Sequence, residues 1–78
     1  MSGQETRLIQ AIITTRLPTR AELDNLSENA LQSLRRSAHH AFTDRCSYPS
    51  QNDPERIRFQ NIYAMACQEL NSRYGHDF

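Results

Sequence analysis

The three histidines and two cysteines of this chain are the side chains that could bind a soft metal or pair a nucleophile with a base. Structural zinc takes four such ligands, usually from closely spaced pairs. His39, His40, His76, Cys46 and Cys67 contain no CxxC and no HxxxH. If residues 28–46 and 54–74 fold back on each other as helices, Cys67 faces Ser33, on the order of 20 Å along the axis from Cys46. A disulfide needs Cα atoms within ~7 Å. Neither a bridge nor a shared metal is therefore expected within one chain, and no cofactor is implied. A bridge between chains through Cys46, at a helix end, stays open. His40 and Asp44 stand at i, i+4, where the carboxylate could orient the imidazole for a nucleophilic thiol. The same spacing is an ordinary helix-surface pair worth a few tenths of a kcal/mol. With no evident cleft in so small a helical chain, no catalytic residue is expected and the chain reads as a non-enzyme.

The remaining chemistry is cationic. Arg35, Arg36, His39 and His40 cover an arc of about 140° on a helical wheel, centred opposite the apolar stripe of the same segment. They project outward, as a surface for phosphate or for an acidic partner would. Near pH 6 the histidines could add their charge, against mutual repulsion. The competing reading is a solvated face whose arginines pair with Glu28, Gln32 or Asp44. A helix-turn-helix formed by Thr19–Leu26 and Ser27–Phe42 would place Glu28, Asn29 and Gln32 in the first turns of its recognition helix. Asn29 and Gln32 suit base edges, whereas Glu28 would meet phosphate. Arg56 and Arg58, with Arg45 and Tyr48, are expected to gather at the loop end of the hairpin, balanced by Asp44, Asp53 and Glu55. Tyr48 there would anchor a partner or cover the end of the core. Phe78, beyond the last helix, is either a frayed tail or a peg into another surface.

The elements that position these groups read as helices. Leu8, Ile9, Ile12, Ile13 and Leu17 share one helical face, predicting a helix over about 5–17 that ends before Pro18. The β-branched run Ile12–Thr15 makes a strand the competitor, but the doublets Leu8-Ile9 and Ile12-Ile13 do not alternate. Thr19-Arg20-Ala21-Glu22 has the form of a capping box and opens a short helix with Ala21, Leu23 and Leu26 apolar. A break is expected near Asn25–Ser27, with Ser27 as a second N-cap or as an interior residue of one continuous helix. Over Glu28–Cys46, Leu31, Leu34, Ala38, Ala41, Phe42 and Arg45 fall in one arc. Ser47–Asp53 is the strongest loop signal, and Asp53-Pro54-Glu55 the order of a helix start. The last helix runs from Pro54 to Tyr74 on a stripe of Phe59, Ile62, Tyr63, Ala66, Leu70 and Tyr74, with Gly75 as its C′ residue. Ile57 and Met65 lie off that stripe and suggest a second contact surface, for the N-terminal helix or for another chain. The fold class is all-α: an antiparallel hairpin over 28–74, with the N-terminal helix and the short capped helix packed across it.

Length and composition set the outer limits. The chain has 78 residues, nine arginines and no lysine against nine carboxylates, for a net charge of zero. Hydrophobic residues make up 37%, below the ~45–50% of an ordinary globular domain by a measure that also counts glycine. So short a chain with so lean a core is expected to be one domain that borrows apolar contact from a second copy or a partner. No run reaches the ~20 apolar residues of a membrane span. The stretch Leu8–Ile13, interrupted by Gln10 and flanked by Arg7 and Arg16, does not form a secretory signal, so a cytoplasmic location is expected. These features point to a non-catalytic protein-interaction module, an adaptor, chaperone or inhibitor of a protein partner, forming homodimers or higher oligomers. The alternative is a nucleic-acid-binding regulator working through Arg35, Arg36, His39 and His40. Neutral net charge and a pI near 6.8 weigh against it, since nucleic-acid-binding domains are usually basic. A small-anion sponge using the same arginines between subunits is a third reading.

Overall fold

A computed structural model describes residues 3–45 and 54–76. They form four helices: α1 (Gly3–Thr15), α2 (Arg20–Asn25), α3 (Glu28–Arg45) and α4 (Pro54–Tyr74). Among the described residues there is no strand, so the all-α expectation stands. None of these helices is long and apolar enough to cross a membrane. The expectations for Cys46, Tyr48, Phe78, the Ser47–Asp53 connection and the Arg45 side chain fall outside the described residues.

α3 and α4 pack most closely, and α1 lies next against α3. All four helices, with the segment that joins α2 to α3, feed one connected core. Ile9 and Ile12 come from α1, Leu23 from α2, Leu26 from the joining segment, Ala30, Leu31, Leu34 and Ala38 from α3, and Phe59, Ile62, Ala66 and Leu70 from α4. The apolar stripes predicted for the two long helices are thus the ones buried. On those stripes Ala41, Phe42 and Tyr63 are only partly buried. Tyr74 is 39% exposed, with the Arg73 guanidinium 5.1 Å from the centre of its ring. Met65, expected off the stripe, is half-buried against the core, whereas Ile57 is 48% exposed.

The helix ends explain how so few apolar residues hold four elements. α2 begins with the predicted capping box: the Thr19 hydroxyl accepts from the Glu22 amide and the Glu22 carboxylate accepts from the Thr19 amide. Ser27 is the N-cap of α3, its Oγ accepting from the Ala30 amide, so α2 and α3 are separate helices. The third helical residue of α3 is Ala30, which cannot reach back as Glu22 does in α2. Glu5 of α1 takes that role, its carboxylate accepting from the Ser27 amide at 2.9 Å. Beside the start of α3, α4 closes on Gly75, whose φ of 72° is the left-handed conformation that favours glycine. Its amide bonds back to the Asn71 carbonyl, an αL cap.

The C-termini of α1 and α2 carry no basic residue in their last turns. α4 supplies both. Arg58 donates to the carbonyls of Ile12 at 2.6 Å, Ile13 at 2.7 Å and Arg16 at 3.1 Å. These carbonyls lie at and just past the C-terminus of α1, that of Ile12 also accepting from the Arg16 amide, and a cation there favours the dipole. Arg73 donates to Leu23 and Leu26 at the end of α2. α1 therefore stops at Thr15, two residues short of the predicted Leu17. Its last carbonyls are turned to Arg58, and residues 16–19 leave the helix around the buried Pro18. Leu17 consequently sits 43% exposed instead of on the core face.

Candidate functional site

The exposed face of the α3–α4 pair is the candidate interface. The two helices run antiparallel, and their apolar stripes meet below the surface. At the edge of each stripe the side chains splay apart and leave a cleft of about 240 Å³, lined by His39 and Phe42 of α3 and by Gln60 and Tyr63 of α4. Phe42 and Tyr63 are half-buried, while His39 and Gln60 are exposed. The His39 and Tyr63 rings lie 5.7 Å apart between centroids, inclined at 43°, a separation within the range of aromatic pairs. The cleft is thus walled by aromatic faces and edged by an imidazole and a primary amide, which donate and accept hydrogen bonds.

The predicted cationic surface adjoins it. Arg36, His39 and His40 are exposed on α3, and Arg35 is half-buried and engaged within the chain. His40 stacks loosely on His39, with centroids 6.2 Å apart. Of the four, His39 enters the cleft wall, and Arg36 stands one turn from it on the outer side. Tyr63, read from the sequence as a core-stripe residue, and Gln60, which carried no signal, complete the site. Both become visible only when the register of α3 against α4 is known, since it sets His39 opposite Tyr63.

The other groups singled out have structural work. Arg58, expected in a cationic cluster at the loop end whose other members lie partly outside the described residues, is engaged with α1. Its side chain crosses to α1 as described, is 12% exposed and is clamped by Glu55 at 2.7 Å, because the open carbonyls of α1 hold it more strongly than solvent would. Glu28 does not serve the arginines of its own helix. It bonds His76 Nε2 at 2.8 Å and so ties the start of α3 to the end of α4. Glu69, unremarkable in the sequence, is almost fully buried and pairs with Arg20 of α2, with Arg73 3.9 Å from its second oxygen. Arg16 and Glu22 form a two-pronged pair with both N···O distances 2.6 Å. The Arg16 guanidinium, helped by the Thr19 amide, holds the Glu22 carboxyl down at about 2. Cys67 is a buried free thiol, and among the described residues no three histidine, cysteine or carboxylate groups converge on a metal position.

Comparison with protein-family models, with curated proteins and with solved structures finds no match to this chain.

Proposed function

We propose that this protein is a non-catalytic protein-interaction module whose docking surface is the α3–α4 cleft. The observation that carries the reading is the cleft itself, which leaves the Phe42 and Tyr63 rings accessible beside His39 and Gln60. At about 240 Å³ it is smaller than the ~300–1,000 Å³ of small-molecule sites. A single side chain offered by a protein surface matches that size better. Tyrosine and arginine are the residue types enriched at such contacts, and Tyr63 and Arg36 are placed to serve. Adaptor, chaperone and inhibitor roles all use a surface of this kind.

A photocrosslinking amino acid at position 60 tests the reading in cells. A discrete protein adduct is expected from position 60 and not from position 24, on exposed α2. Adducts that disappear with nuclease treatment, or equal adducts from both positions, would reject it. Self-association is part of the proposal, supported by the exposed Leu17, Ile57 and Tyr74. Light scattering should give at least a dimer mass at micromolar concentration, and a monomer throughout would remove it.

One observation favours a nucleic-acid regulator as the second reading: Arg36, His39 and His40 are exposed on consecutive turns of α3. Salt-sensitive binding of labelled DNA or RNA, lost in Arg36→Glu, is what that reading requires.

A further inference from the structure

A surface helix ordinarily turns its charged residues to solvent, and α4 does the reverse. Arg58 reaches α1, Glu69 is almost fully buried against Arg20 of α2, and Arg73 donates to the carbonyls of Leu23 and Leu26. Glu55 is held by Arg58, and Arg56 is half-buried and engaged within the chain. These are all the charged residues of the helix. The side left to solvent carries none. Ile57, Asn61, Ala64, Gln68 and Asn71 are exposed and share an arc of about 80°, opposite the buried stripe of Phe59, Ile62, Ala66 and Leu70. Every charged residue of α4 lies about 100° or more around the helix from the middle of that arc. The five positions recur at alternating intervals of four and three residues, the seam spacing by which two helices pack side by side.

Resting on the self-association proposed above, we infer that this neutral seam of α4 is the dimer interface, packed on the same seam of a second copy. A two-fold interface sets one patch against itself, so a charge near its centre would meet its own sign. The seam presents no such charge. Asn61 and Gln68 are self-complementary, since a primary amide both donates and accepts. Ala64, in the middle, lets two backbones approach, and Ile57, 48% exposed, gains cover at one end. The zero net charge of the chain adds no repulsion between copies. Two helices touching over ~21 Å cover less than the ~800 Å² per partner of a standard interface, so the dimer forms reversibly and dissociates on dilution. Tyr63 lies about 120° around α4 from the seam, and the α3–α4 cleft is thus a separate surface.

Sedimentation equilibrium of the full chain over a range of concentrations tests the assignment. The wild type is expected to move from monomer to dimer mass as concentration rises. Ala64→Glu, and separately Gln68→Glu, put like charges on both sides of the seam. Each should weaken association at least about tenfold, with the helical circular-dichroism signal intact. Ala11→Glu makes the same change at an exposed position of α1 and should alter association less than about twofold. An equal mixture of Ala64→Glu and Ala64→Lys chains should recover a dimer that neither forms alone. A wild-type monomer at every concentration would overturn both the seam and the self-association. A dimer that survives Ala64→Glu and Gln68→Glu, or a mixture that stays monomeric, would overturn the seam and leave self-association standing. A photocrosslinking residue at position 64 that captures a different protein and no second copy would assign this face to a foreign partner and overturn the inference.

Discussion

At the scale of single residues, Arg58 stands out for serving three carbonyls and one carboxylate at once. Hydrogen bonds from a charged donor contribute about 1.5–3 kcal/mol each when the alternative is an unsatisfied group. Arg58→Met should lower unfolding free energy by about 2–3 kcal/mol in urea titration, since solvent recovers part of the loss. Arg58→Lys should restore only a fraction of that, because one ammonium cannot span the fork of acceptors that a guanidinium does. Glu22 makes a pH prediction with a definite sign. Its carboxyl titrates near 2 in the folded chain against an ordinary value of 4.5. Its contribution is complete above about pH 4.5 and drains away as pH falls towards 2. The urea midpoints of the wild type and Glu22→Gln should differ at pH 6 and converge across that acid interval. High salt should narrow the gap at pH 6, because the Arg16–Glu22 pair is largely at the surface.

At the scale of elements, the helix ends divide into those completed by neighbours in sequence and those completed from afar. Thr19 and Gly75 belong to the first kind. Thr19→Ala should cost about 1 kcal/mol. Gly75→Ala should cost about 1–2 kcal/mol, by backbone strain alone, since a Cβ there meets no atom within 4 Å. Chemical denaturation of the two variants checks both figures. These ends could be read from the sequence, as could the start of α4 at Pro54 and the break at Ser27, because each signal occupies three or four contiguous residues. The two long stripes were legible for the same local reason. Glu5 on Ser27, Arg58 on α1 and Arg73 on α2 were not, because nothing in the spacing of distant residues says which turns will abut. That ignorance also hid the reach of Arg58 to α1 and the pairing of Glu28 with His76. Of the four residues lining the candidate cleft, one was legible in the same sense. His39 was found by its outward arc, whereas Tyr63 and Phe42 looked like core, and only the splay between two stripes exposes their edges.

At the scale of the whole molecule, stability should be graded. α3 and α4 share the closest packing, while α1 and α2, of 13 and 6 residues, are too short to persist as isolated helices. Native-state hydrogen exchange should find the slowest amides in α3 and α4 and a lower opening free energy for α1 and α2. Arg58→Met should widen that gap, and uniform protection across all four helices would contradict it. The polarity of the long-range caps also bears on how the chain is made. The carbonyls at the ends of α1 and α2 precede the guanidinium groups that receive them by 42 to 50 residues. On a ribosome, which releases the chain from its N-terminus, those helix ends must wait with open carbonyls until positions 58 and 73 clear the exit tunnel. For that interval Ile9, Ile12, Leu23 and Leu26 have only α3 to pack against. Folding of this protein is therefore timed by the emergence of α4, so a pause in translation within the codons for 54–73 would prolong the exposure of its first half.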